Sequence, residues 1–174
     1  MKIPISWLKE YVDISIPIEE LAHRITMAGT EVGRIITIGG WKNCFVGCVK
    51  SVESHPKADR LRICRVDIGL EQIQVVCGAP NVAENQKVAV AKIGAELLNV
   101  QSGKIETLKK AAIRGVESHG MICSERELGT GENHDGIIIL PDDAPVGTDL
   151  SGYMGDKVFD LDVTPNRPDC YSVL

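Results

Sequence analysis

Three stretches of this sequence place charged and hydrogen-bonding side chains at spacings that could serve a phosphate-bearing ligand. The first runs His55-Pro56-Lys57-Ala58-Asp59-Arg60-Leu61-Arg62-Ile63-Cys64-Arg65 and gathers Lys57, Arg60, Arg62 and Arg65 around a turn and the strand expected after it. Arginine forks match phosphate oxygens in pairs, and a lysine adds a mobile point charge. Charge alone favours a plainer reading, a solvated strand face, and Asp59 tempers the cluster. The second stretch is Val76-Cys77-Gly78-Ala79-Pro80-Asn81-Val82. Gly78 and Pro80 force a tight connection, and the Asn81 amide can read a base edge or, as is usual in such company, close the turn. The third runs from Arg114 to Glu125, with Gly115 and Gly120 allowing close backbone approach. Ser118, Ser124 and Glu125 set small polar groups beside Arg114 and Met121, and a thioether among short polar chains suits the face of an unstacked base. Locally, Ser124 reads as a helix N-cap.

Nucleophilic and metal chemistry find little support. His23 falls in a helix, His55 precedes a proline, and His119 and His134 lie in polar loops, with no spacing that pairs them with a nucleophile. Asp160 and Asp162 share one strand face and could hold Mg²⁺, but a solvent-facing strand edge explains them more cheaply. The cysteines are Cys44, Cys48, Cys64, Cys77, Cys123 and Cys170, without any Cys-x-x-Cys pair. Most sit in apolar, strand-like runs, where a thiol behaves as a small hydrophobe, so reduced structural cysteine is expected. No catalytic residue, metal ligand or bound cofactor is therefore expected here.

Composition narrows the classes further. The chain of 174 residues is 44% hydrophobic and 25% charged, ordinary for a globular protein, and its 4% of aromatic residues leaves little scope for base stacking on rings. No run approaches the roughly 20 apolar residues of a membrane span. The opening Met1-Lys2-Ile3-Pro4 has no signal-peptide core, so a cytoplasmic location is expected. With 19 basic and 24 acidic residues the net charge is −5, which disfavours generic nucleic-acid binding and confines any RNA site to a local patch.

The elements that must position these residues fall into two textures. Ser6 is a plausible N-cap for a helix over 7–12, and Pro17 opens a second helix with Ile18, Leu21, Ile25 and Ala28 on one face and Gly29 as its stop. An extended run over 31–38 and the hinge Gly39-Gly40 follow. From Trp41 to about residue 150, short β-branched runs alternate with turn residues: 44–52, 61–68, 72–77, 87–91, 113–115 with 120–123, and 137–140. That spacing predicts a small closed barrel. Residues 124–129 read as a short capped helix. At the far end, 158–163 alternates like a half-buried strand, and Asp169 would cap a helix that the sequence breaks off. Residues 1–40 and 151–174 are expected to form one small discontinuous α/β domain, truncated at its end, around a barrel over 41–150.

His-Pro-x-Ala-Asp-Arg-Leu at 55–61, Cys-Gly-Ala-Pro-Asn at 77–81 and Gly-Val-x-Ser-x-Gly-Met-x-x-Ser-Glu at 115–125 together resemble the tRNA-binding OB domain. That module occurs in bacterial phenylalanine–tRNA ligase beta subunits, some methionine–tRNA ligase C-termini and free-standing tRNA-binding or chaperone-like proteins. The flanks, Ile5 to Asp13, Met27 to Val32 and Asp162 to Cys170, are similar to the beta subunit. The resemblance implies a mainly β fold with some α: a five-stranded OB-type barrel inserted into a small α/β domain. It implies tRNA as a partner, a catalytic alpha subunit in an alpha-two beta-two assembly, and ATP and Mg²⁺ for the whole enzyme, with no catalytic site in this segment. It also implies phosphate contacts by Lys57, Arg60 and Arg62, with Asn81, Arg114, Ser118, Met121, Ser124 and Glu125 lining the recognition surface. Two other readings stay open: an assembly domain with little RNA contact, since 41–150 carries 13 basic and 15 acidic residues, and a stand-alone tRNA-binding or chaperone-like protein.

Overall fold

A computed structural model describes residues 1–100 and 102–165. In chain order the elements begin with β1 (Lys2–Pro4), α1 (Ile5–Tyr11), α2 (Ile18–Met27) and β2 (Glu31–Ile38). There follow β3 (Cys44–His55), β4 (Ala58–Asp67), β5 (Gln72–Cys77) and β6 (Lys87–Lys92). Two hairpins, β7 (Glu96–Leu98) with β8 (Ile105–Thr107) and β9 (Ala111–Ile113) with β10 (Val116–Ser118), lead to β11 (Gly120–Ile122). The short helix α3 (Glu125–Leu128), β12 (Ile139–Leu140), α4 (Leu150–Met154) and β13 (Asp156–Asp162) complete the described chain. The chain divides into two units, Met1–Ile38 with Gly155–Leu174, and Gly39–Met154.

In the first unit β13, from the far end of the sequence, is the central strand of an antiparallel sheet ordered β1-β13-β2. Phe159 stands opposite both Ile3 and Ile35 and is fully buried, at the centre of a cluster with Ile3, Ile5, Ala22 and Leu161. Ile18, Leu21 and Ile25 of α2 pack on that cluster, with Glu19 and Glu20 favourably placed in the helix's first turn. Ala28, expected on the same stripe, is exposed just beyond the helix end, and Ala22 takes the buried place instead. Gly29 ends the helix in the left-handed region at φ 103°, its N–H donating to the Thr26 carbonyl. Ser6 does not cap α1. The helix starts two residues earlier, at Ile5 after Pro4, and Asp156 of β13 caps it from outside, accepting from the Ser6 N–H at 3.2 Å and its hydroxyl at 2.7 Å.

The second unit is a nearly closed five-strand antiparallel barrel of the OB type, with strand order β11-β6-β3-β4-β5. β3 is long enough to pair with β6 over Cys44 to Cys48 and with β4 over Cys48 to His55. Register shifts at Val49/Ser51 and Ser54/His55 bend it along its pairing with β4. Gly47 sits where a Cβ would come within 2.6 Å of the Val90 side chain and 2.8 Å of Val66, so the crossing needs glycine. β6 is buried on both faces: Val88 and Val90 join a cluster with Val49, Cys64, Val66 and Val75, whereas Ala89 and Ala91 join Trp41, Cys44, Val46, Leu97, Cys123, Leu128 and Leu150. Side chain and backbone share the closure between β5 and the β10–β11 corner. The His119 N–H donates to the Gln74 carbonyl at 2.8 Å, and the Val76 N–H donates to the Ser118 hydroxyl at 3.0 Å.

Two expected strands change. Residues 113–115 do not continue a strand, because Arg114 and Gly115 both take positive φ and form the turn of the β9–β10 hairpin. The run at 137–140 shortens to β12, pairing with Lys87 and Val88. Among the described residues no helix is long and apolar enough to cross a membrane.

Candidate nucleic-acid interface

The turn joining β3 to β4 is built on a buried histidine. His55 Nδ1 accepts from the Lys57 N–H at 3.1 Å, which leaves Nε2 to donate to the Ile113 carbonyl at 3.1 Å. One imidazole thus ties the Lys57 turn to the end of β9. At the abutting hairpin turn, Arg114 takes φ 49° and Gly115 φ 90°. Positive φ at both central residues is the type I′ pattern, and an arginine pays conformational strain to occupy the first of them. Its guanidinium Nη1 donates to the Lys57 carbonyl at 3.4 Å, and Lys57 Nζ lies 3.6 Å from where a Cβ on Gly115 would stand. Two cations are therefore held on neighbouring turns.

β4 extends the cluster. Arg60 is exposed, and Arg62 is half-buried, its Nη1 donating to the Asp59 carbonyl at 3.3 Å. By strand alternation both share the face of Cys64 and Val66, which point into the barrel, while Arg65 is exposed on the other face. Among the described residues Lys57, Arg60, Arg62, Arg65 and Arg114 have no acidic partner, whereas Lys50, Lys92 and Lys110 pair with Asp67, Glu71 and Glu117. Of these, Lys57, Arg60, Arg62 and Arg114, on one strand face and two touching turns, make a patch that the net charge conceals.

The second and third stretches join this patch through the barrel seam. Arg62 stands opposite Cys77 in the β4–β5 register, and Gly78 comes within Cβ contact of Leu61. Residues 77–80 then face Met121, Ser124, Glu127 and His134 across a hollow of about 350 Å³. The polar side chains in these stretches are largely committed to the fold. Asn81 reaches 56 residues along the chain: its Nδ2 donates to the Ile137 carbonyl and its Oδ1 accepts the Ile137 N–H, both at 3.0 Å. A Cβ on Gly136 would fall 2.7 Å from that amide, so glycine is required beneath it. Ser118 is buried and its hydroxyl both accepts from Val76 and donates to the Gly120 carbonyl at 2.8 Å. Ser124 caps α3 in a reciprocal box with Glu127, whose Oε2 accepts from the Ser124 N–H at 2.7 Å and its hydroxyl at 2.9 Å. Met121 stays half-buried, and Glu125 and Arg114 are exposed.

His55, Glu127 and His134 were missed in the sequence. The Ser124-x-x-Glu127 spacing carried the capping-box signal; nothing local marked His55 as a clamp. Ser124 Oγ lies 3.3 Å from His134 Nδ1, but Glu127 binds the serine and not the imidazole, so no acid orients a base toward a nucleophile. Among the described residues, outside which Cys170 lies, five thiols are free and buried, and burial pushes those of Cys44 and Cys64 up to about 12 and raises those of Cys77 and Cys123. At neutral pH these four are inert hydrophobes.

This barrel, with its cation-lined turns, is matched over residues 44–149 by the family model described as "Putative tRNA binding domain". The chain belongs to that tRNA-binding domain family. A phenylalanine–tRNA ligase beta subunit from Dehalococcoides mccartyi is 51% identical over 174 residues, covering 99% of this chain and 22% of the relative. The corresponding subunit from Hahella chejuensis is 50% identical over 177 residues, covering 100% and 22%. Over its whole length, then, the chain is similar to the beta subunits of phenylalanine–tRNA ligases, and it spans 22% of the length of these two curated relatives. Among solved structures, a MetRS related protein from Pyrococcus horikoshii aligns at a TM-score of 0.44 and 26% identity over 62% of this chain and 87% of that one.

Proposed function

We propose that the barrel unit is the tRNA-contacting module of a phenylalanine–tRNA ligase beta subunit, acting in the cytoplasm and gripping the phosphate backbone through Lys57, Arg60, Arg62 and Arg114. The observation that carries the reading is the set of cations without acidic partners on β4 and the two turns clamped by His55. Phosphate contacts by such groups release counterions, so affinity falls as salt rises, by about 0.9 log units per contact for each log unit of salt. The segment itself is non-catalytic in this reading. Aminoacylation, with ATP and Mg²⁺, belongs to a partner alpha subunit in an alpha-two beta-two assembly. Met121 and Glu125 are the remaining side chains free to meet the RNA. Asn81, Ser118 and Ser124 serve it indirectly, by fixing the loops around it.

A tRNA titration tests this between about 50 and 200 mM salt. The double variant Arg60→Ala/Arg62→Ala is expected to weaken binding and to flatten the log–log salt slope by about two units. Binding whose slope the double variant leaves unchanged would remove these residues from the interface. Absence of binding at low salt would favour the assembly reading, which the acidic balance of 41–150 supports.

A further inference from the structure

A second and larger hollow, of about 810 Å³, opens in the barrel unit beside the β7–β8 hairpin. Leu97, Leu98, Leu108 and Met121 line it with apolar surface, and Lys109, Glu127 and His134 stand in its wall. An apolar floor with a few converging polar groups is the usual form of a small-ligand site. Its polar groups are only partly used. Glu106 is occupied by Asn99 and Ser102, but Glu127 commits only Oε2 to Ser124, and His134 engages only Nδ1. A carboxylate oxygen and an imidazole nitrogen are thus left without partners among the described residues. Lys109 leads directly along β9 to Arg114, an extended span of about 17 Å. The hollow and the cation patch are therefore two ends of one short stretch of chain.

We infer that this hollow receives one unstacked, amino-bearing nucleobase of a bound RNA, whose backbone runs along residues 109–114 toward Lys57 and Arg114. The inference rests on the RNA-binding reading and adds a base to its phosphates. The base lies against the leucines and the Met121 thioether, and its exocyclic amino group donates to the free oxygen of Glu127. Lys109 meets the adjoining phosphate.

The test compares short oligoadenylate with an abasic ribose–phosphate chain of equal length, and therefore of equal charge, on the 174-residue protein. Oligoadenylate is expected to bind about tenfold more tightly, the scale of one well-seated base. Leu98→Trp, which fills the hollow, is expected to abolish that preference while leaving the salt slope intact. Leu98→Met, which keeps the volume, should retain it. Equal binding of both polymers with a normal salt slope overturns the inference and spares the phosphate-binding reading. So does binding of tRNA with neither polymer bound. Loss of all RNA binding, tRNA included, defeats the underlying reading instead.

Discussion

Ser118 spends its one hydroxyl twice, taking the Val76 N–H and giving its own proton to the Gly120 carbonyl. Replacing it by alanine leaves a buried donor and a buried acceptor without partners, each costing about 1–3 kcal/mol. Ser118→Ala is therefore expected to lower stability by about 2–6 kcal/mol in a denaturant titration, and a loss below half a kcal/mol would mean that the seam closes without it. The buried thiols make a second residue-scale prediction. Burial holds Cys44 and Cys64 protonated up to about 12, against 9.0 ordinarily. Above that ordinary value the unfolded chain releases these protons first, so stability conferred by the protonated thiols is complete below about 9 and drains away as pH rises toward 12. Cys64→Ala should make the alkaline fall of the denaturation midpoint shallower than in wild type, whatever it does at neutral pH. Parallel curves would contradict the assignment.

At the scale of elements, burial decided what could be foreseen. β3, β4, β5 and β6 were legible because they run for six to twelve residues, are rich in β-branched and apolar side chains and feed the core. β7 to β10 were not, because each is three residues long and β8 and β9 are almost wholly exposed, so no alternation marks them. The turn at Arg114 was hidden for another reason: positive φ is expected of the glycine beside it, not of arginine. Asn81 looked like a local turn-closer, and only the fold could disclose that its partner is Ile137. The cation cluster was plain in the sequence, whereas its freedom from acidic partners was not. The strained turn yields a prediction with opposite signs. Arg114→Asn, better suited to the left-handed region, is expected to raise stability by about 0.5–1 kcal/mol and yet weaken tRNA binding. A variant that is stabilised and binds unchanged would leave Arg114 with no part in the interface.

Across the whole molecule, the two units depend on the chain in different ways. The barrel's strands and both of its core clusters all come from the single stretch Gly39–Met154. The other unit takes its central strand, and the carboxylate that caps α1, from residues after Met154. Without β13, β1 and β2 have no shared partner, and Phe159, the fully buried centre of that core, is gone. Losing a buried phenylalanine alone costs about 3–5 kcal/mol, comparable to what holds so small a core together. A chain of residues 1–154 is therefore expected to keep the barrel folded and lose the other unit. The two tryptophans report on each separately, Trp41 in the barrel core and Trp7 on α1. Hydrogen exchange should find the amides of β3 to β6 protected as in the full chain and those of β2 unprotected. Protection surviving in β2 would mean that the first unit can assemble without the strand that now runs through its middle.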